Sequence, residues 1–238
     1  MRFHYVWLIW ASAFLVPWIA LYRGNAPMRR VMLRASLATG TFGLTEPLFV
    51  PSYWRPPSLF DLAQRTRFDI ESFIFSFAIG GVGVVLYNVL TRTHLVPLPA
   101  ATQSEPLHRF HAIALFGPVI AFVPLVFLPW NAIYPAIIAL ASGSVASVVC
   151  RPSLMKRTLV SGMLFLGFYA VFMAGLTLSA PGYIEQVWNL PALSGVLVYD
   201  IPLEEFLFGA AFGLYWSGVY EHLTWTSSVV HARRATGA

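Results

Sequence analysis

Charge is what this chain of 238 residues has least of. Asp, Glu, Lys and Arg make up 11% of it, against 58% hydrophobic residues. Soluble domains carry about 25% charged residues, and a fold this size cannot hide so much apolar surface, so a soluble globular domain is excluded. Cysteine is nearly absent. The single Cys150 rules out an internal disulfide and any cysteine-based metal cluster. Lysine occurs once, as Lys156 at the start of the sixth apolar run. The seventh run has none, so a retinal-type Schiff base has no attachment point there. The formal charge of +5 is spread over short loops between apolar runs and forms no contiguous basic face, which speaks against nucleic acid as a partner.

Other motifs are missing as well. No paired-aspartate motif exists to hold magnesium for diphosphate departure. Gly80-Gly81-Val82-Gly83 falls inside a helical run, lacks the full GxGxxG spacing and follows no strand, so it reads as close helix packing and not as a dinucleotide site. His108 and His111 share a helix face, but two ligands without a third do not make a metal centre. No metal and no cofactor are expected.

What the chain does have is apolar helices. Windows of about 20 residues place seven spans, over roughly 5–22, 31–50, 70–90, 112–128, 132–149, 159–178 and 202–223. The first lacks a small-residue cleavage site and reads as a span, not a removed signal. The reading is an all-α polytopic membrane bundle. Pro118 and Pro124 inside the fourth span are tolerable because neighbouring helices re-satisfy the freed carbonyls. The stretch from Ser58 to Ala63 has helical spacing and predicts a short interfacial helix, while Val96 to Glu105 reads as a linker. Eleven of the fifteen Lys and Arg residues fall on one side of this layout, leaving Arg2, Arg55, Arg65 and Arg67 on the other. The positive-inside rule then sets the N-terminus outside and the C-terminus in the cytoplasm.

The third and seventh spans align without a gap when Glu71 is set on Glu204. Phe73 then meets Phe206, Phe75 meets Phe208, Ala78 meets Ala211, Gly80 meets Gly213, Tyr87 meets Tyr220 and Leu90 meets Leu223. Pro57-Ser58-Leu59 parallels Pro191-Ala192-Leu193 upstream. These matches predict two three-helix repeats, 1–92 and 131–238, joined by a linker and connector helix over 93–130. One odd connector leaves both repeats parallel across the membrane. Glu71, Glu204 and Glu205 then lie at similar depth, with Glu46 in the same layer.

Ionisable residues inside a bilayer are costly and default to a functional reading. A carboxyl in an apolar site has its neutral form favoured, and a second carboxyl nearby adds to this. Glu204 and Glu205 point about 100° apart on an ideal helix. The alignment with Glu71 predicts that Glu204 faces inward. Asp69, Asp200 and Glu46 are candidates for polar support. Phe73, Phe75, Phe206, Phe208, Phe212, Tyr215 and Trp216 surround the acids. Aromatic faces stabilise cations, so an acid in such a pocket suits protonation of an alkene and shielding of the resulting carbocation.

The run Asp200-Ile201-Pro202-Leu203-Glu204-Glu205-Phe206-Leu207-Phe208, with its fainter copy Phe68-Asp69-Ile70-Glu71-Ser72-Phe73-Ile74-Phe75, resembles the motif of the membrane-integral lycopene cyclase domain family. The resemblance covers nearly the whole chain, in the fused form with both repeats in one polypeptide. In the first copy, Asp69 stands in the place of a proline and Ser72 in the place of the second glutamate.

The resemblance implies a redox-neutral, acid-catalysed closure of β-ionone rings at the ends of a linear carotene. It implies Glu204 as acid, with Glu71 and Glu205 returning the proton or setting the charge of the pair. It implies no cofactor, an apolar polyene held in the bilayer, membrane lipids and other carotenoid-pathway enzymes as partners, and a bacterial inner membrane as the setting. Two other readings stand beside it: a carrier that holds a polyene or isoprenoid unchanged, and a proton-coupled transporter.

Overall fold

The structure is a computed structural model and describes residues 3–230. Arg2, His231, Arg233 and Arg234 lie outside the described residues.

The first apolar run folds as α1 (Val6–Ala13) and α2 (Leu15–Gly24), which meet at Phe14. The second begins as α3 (Arg29–Gly40) and tightens into a 3-10 segment, Thr41–Leu48. Pro47 lies inside that segment and offers no N–H to a continuing α-helix. A 3-10 turn, Leu59–Asp61, and α4 (Leu62–Thr66) form the short helical piece expected near Ser58. Next come α5 (Ile70–Thr91), β1 (Thr93–Pro97), α6 (Ala100–Gln103), α7 (His111–Leu125), α8 (Ile133–Cys150) and α9 (Met155–Ser179). The chain ends with α10 (Tyr183–Val187), β2 (Leu197–Val198), β3 (Ile201–Pro202), α11 (Leu203–Thr224) and β4 (Thr226–Val230).

Among the described residues, five helical runs are long and apolar enough to cross a membrane: Val6–Gly24, Ile70–Thr91, Pro106–Leu125, Ile133–Cys150 and Pro152–Ser179. The other two expected spans are helical but more polar. One opens with Arg29, Arg30 and Arg34, and the other carries Glu204, Glu205, Glu221 and His222. The bundle is thus a helical membrane fold, with its two most polar long helices packed against apolar ones.

The main helix contacts are α3 on α5, α9 on α11, α7 on α8 and α8 on α11. Helix α5 also packs on α11 and joins the halves. Glycines allow the closest approaches. A Cβ on Gly80 would collide with Thr39 of α3, and one on Gly213 would sit 3.0 Å from the Ser161 carbonyl of α9. Close backbone approach through small residues is how helices associate where lipid supplies no hydrophobic drive.

Strands are few but were absent from the expected all-helical layout. Helices α5 and α11 each end on a left-handed residue, Arg92 (φ 54°) and Trp225 (φ 51°). The chain turns there into β1 and β4, which pair antiparallel with Leu95 opposite Ser228. The stretch read as a linker is therefore partly a strand, because its Thr, Leu and Val residues find a partner over a hundred positions away. Strands β2 and β3 close through Tyr199 (φ 51°) and Asp200 (φ 61°), two successive positive φ values as a tight hairpin turn requires.

The end of the bundle nearest this β1–β4 pair is fastened by a buried ion pair. Arg157 of α9 meets Glu221 of α11, and its Nη2 donates to the Asn88 side chain of α5 at 3.2 Å and the Ser217 carbonyl at 3.1 Å. Its guanidinium lies 5.1 Å from the Tyr87 ring centroid. Breaking a buried pair by deleting one partner is costly, whereas removing both can be neutral. Arg157→Met is expected to destabilise the protein by about 3–5 kcal/mol. Arg157→Met with Glu221→Leu should recover most of that, read as the thermal unfolding midpoint in detergent.

Candidate active site

The acids gather at the opposite end, where α5 and α11 begin. Glu46, Glu71, Glu204 and Glu205 are each under 10% exposed. They do not share one environment. A cavity of about 400 Å³ runs between the halves, and only Glu46 and Glu205 of the four line it. Its walls are otherwise mostly apolar and aromatic, including Trp7, Phe49, Trp54, Phe75, Phe122, Phe172, Trp188, Phe208 and Phe212. Phe42 of the 3-10 segment and Val119 of α7 line the cavity while being 48% and 60% exposed. The cavity therefore reaches the lateral surface between those two elements.

Glu205 is the best-held group. Its Oε1 accepts from the Tyr53 hydroxyl and from Trp188 Nε1 at 2.7 Å, and its Oε2 accepts from the Tyr169 hydroxyl at 2.6 Å. Gly209 of α11 makes one of these contacts reachable, since a Cβ there would stand 2.9 Å from Tyr169 Cδ1. The indole N–H can only donate, but each tyrosine hydroxyl can donate or accept. The three partners can thus hold Glu205 as a carboxylate, or as an acid whose own O–H is given to a tyrosine oxygen.

The expectation that Glu204 faces inward is corrected by this geometry. Glu204 points away from the large cavity and braces the loop ahead of its own helix. Its Oε1 accepts from the Ser194 N–H at 2.8 Å and the Tyr134 hydroxyl at 2.7 Å. Glu71 has the same posture in the first half, with Oε1 accepting the Leu59 N–H at 2.7 Å. Glu71 and Glu204 are thus both loop braces. One oxygen of each, Oε2, is buried without a hydrogen-bond partner.

Glu46 reaches the cavity from the 3-10 segment, with Oε1 accepting from Trp54 Nε1 at 2.7 Å. Asp69 caps α5 through the Ser72 N–H. Burial pushes the Asp69 carboxyl up from the ordinary aspartate range, against the pull of that N–H. Tyr183, in α10, is pushed above the ordinary phenol range by burial and by the nearby Asp69 and Glu71. Asp200 sits on the exposed hairpin turn, away from the cavity, because the turn needs its backbone and leaves its side chain in the open.

Of the expected aromatic lining, Phe75, Phe208 and Phe212 face the cavity. Phe73, Phe206, Tyr215 and Trp216 do not line it. Phe73 lies against Gly43, where a Cβ would come within 2.8 Å of its ring, and Phe206 packs on the core from outside. Tyr215 donates to the Leu115 carbonyl at 2.8 Å and Trp216 to that of Gly80 at 3.0 Å, so these two serve as helix ties. The donors Tyr53, Tyr169 and Trp188 were not read as site residues. One signal was present: Trp54 and Trp188 stand at nearly matching distances ahead of Glu71 and Glu204. Among the described residues, no group of three or more His, Cys, Asp or Glu is placed to hold a metal ion.

A helical membrane bundle with buried carboxyls on the wall of an aromatic, laterally open cavity defines a class of protein that works on an apolar ligand. The family is given by comparison. The lycopene cyclase family model matches residues 131–223, and this part of the chain is a lycopene cyclase domain. The match spans α8 to α11 and so contains Tyr134, Tyr169, Trp188, Glu204 and Glu205. The match supports an action on carotenoids for this part of the chain. No curated protein and no solved structure matches the chain.

The brace assigned to Glu204 has a stability consequence. Tyr134→Phe removes one donor from a buried carboxyl and is expected to cost about 1–3 kcal/mol. A lower thermal midpoint in detergent, with the cavity residues untouched, is the expected result.

Proposed function

We propose that this protein closes β-ionone rings on a linear carotene such as lycopene, as an intramolecular lyase that consumes no redox equivalent. The observation that carries the proposal is Glu205, a buried carboxyl with three donors on the wall of an apolar cavity. A hydrocarbon offers an enzyme nothing to grip by hydrogen bonds. Catalysis of its cyclisation needs a strong enough acid, a shape that folds the chain end, and surfaces that tolerate positive charge.

The chemistry balances without a co-reactant. Protonated Glu205 gives its proton to the terminal double bond and leaves a tertiary cation. The internal alkene attacks that cation, forming the ring bond and moving the charge to a ring carbon. Loss of a proton from the neighbouring carbon forms the ring double bond, so substrate and product share one formula. Phe208, Phe212 and Tyr169 line the same cavity as Glu205, and aromatic faces stabilise such cations. The aromatic wall also excludes water, which would quench the cation as an alcohol. A cavity of about 400 Å³ with a lateral opening suits one end of a long polyene, the remainder staying in lipid.

The layout is proposed to be a duplication, with repeats over 1–92 and 131–238 and a connector over 93–130. Leu95 opposite Ser228 keeps the offset of 133 residues (228 minus 95) that relates Glu71 to Glu204. The Trp54–Trp188 backbone bridge keeps it within one residue. Two equivalent segments that meet antiparallel at their own counterparts are what a two-fold axis between parallel repeats produces. The family match beginning at residue 131 fits the second boundary. The N-terminus is proposed to lie outside and the C-terminus in the cytoplasm of a bacterial inner membrane, on the charge distribution of the loops. Other enzymes of carotenoid synthesis are proposed partners.

Expression in cells that accumulate lycopene tests the proposal. Monocyclic or bicyclic carotene is expected, and Glu205→Gln should reduce ring formation by about 10²–10⁴-fold. Glu204→Gln should act less on turnover than on stability. Unchanged lycopene with folded protein in the membrane would favour a carrier.

A further inference from the structure

The two halves of the site differ at the cavity wall. Under the 133-residue offset, Pro202, Glu204 and Glu205 fall on Asp69, Glu71 and Ser72. Glu71 and Glu204 keep the same work, each accepting a backbone N–H from the loop before its helix. Glu205 and Ser72 both line the cavity, yet one is an acid and the other is not. The first half nevertheless brings a carboxyl to that wall. Glu46 arrives from the neighbouring 3-10 segment and lies beside the Ser72 side chain, with Asp69 also close to it.

One donor to Glu46 has a counterpart at Glu205. Trp54 Nε1 donates to Glu46 at 2.7 Å, and Trp188 Nε1 donates to Glu205 at 2.7 Å. The two indoles are bridged through their backbones and their rings are 5.3 Å apart. Each tryptophan therefore hands its one N–H to a different cavity carboxyl. A serine at 72 leaves the room that the Glu46 side chain takes.

We infer that Glu46 is the second reacting carboxyl of the cavity, standing in for the side chain missing at Ser72, and that it removes the ring proton after Glu205 has delivered the first. The inference rests on the cyclisation reading. The step balances: the O–H bond of Glu205 and one ring C–H bond break, while one C–H bond on the former alkene and the O–H bond of Glu46 form. The pair holds one proton before and after the reaction. Exchange with water once product has left restores its starting place.

Moving the carboxyl tests this. In lycopene-accumulating cells, Glu46→Gln should lower ring formation about 10²-fold or more. The double variant Glu46→Gln/Ser72→Glu should regain at least tenfold over the single one, a rescue that a merely structural role for Glu46 does not give. A second measurement is independent of turnover. Dicyclohexylcarbodiimide, which reacts with protonated carboxyls in apolar sites, should modify Glu205 in the purified protein and leave Glu46, the resting base, unmodified, as mapped by mass spectrometry. Full ring formation by Glu46→Gln, or an active wild type whose adduct falls at Glu46 and not at Glu205, overturns the inference and leaves the cyclisation reading standing. A folded wild type that labels at Glu205 yet makes no rings removes the cyclisation reading and the base role together.

Discussion

A carboxyl kept out of water but not out of hydrogen bonds is the constraint on which this structure depends. Glu205 opens α11 with no exposed surface to speak of, and three aromatic donors converge on it from Tyr53, Tyr169 and Trp188. Those donors come from the loop after the 3-10 segment, from α9 and from the residue after α10. Most of the bundle is needed to bring them together. Gly209 lets α9 come close enough for Tyr169. The Trp54–Trp188 bridge fixes the two loops that supply the indoles. The Asn189 N–H bond to the Tyr53 carbonyl at 2.8 Å adds a second tie between those loops.

Several other buried acids serve that arrangement. Glu71 and Glu204 hold the approach loops by their backbone N–H groups, and Asp69 caps α5. At the far end, Arg157 and Glu221 lock α9 to α11, with Asn88 bringing in α5. Charge is scarce in this chain, and the structure spends much of it on buried contacts between helices and loops. The chemistry then takes place in a cavity whose lining is otherwise almost entirely hydrocarbon and aromatic rings.

Hydropathy made the helices legible. Apolar runs of about 20 residues located every long helix, and the spacing around Ser58 located the short one. It did not reveal β1 and β4, because a strand of five residues acquires its meaning from a partner far away in sequence. The carboxyl layer was legible too, since acids in apolar runs stand out. Which neighbour turned inward is carried by a weaker signal. Glu204 and Glu205 differ by about 100° on the helix, and the rotation of α11 is set by its contacts with α9. The spacing Glu205, Gly209, Gly213, with a small residue every fourth position, marks the face pressed against α9. That stripe is visible in the sequence and points to Glu205. Tyr53 was illegible as a donor because it is 152 positions from Glu205, whereas the matching places of Trp54 and Trp188 did mark one donor. Glu46 was visible as an acid in the same layer, and its place at the cavity follows only from the 3-10 path of Thr41–Leu48.

If Glu205 gives its proton to carbon, the proton comes from a carboxyl that exchanges with solvent and ends in a C–H bond that does not. Cyclisation of lycopene by the membrane-embedded protein in deuterium oxide, read by mass spectrometry of the carotene, measures this directly. The account predicts one retained deuterium for every ring formed, and none in recovered lycopene. Rings that form without deuterium would show that the hydrogen reaches carbon from a non-exchanging source, and would contradict protonation by a buried carboxyl.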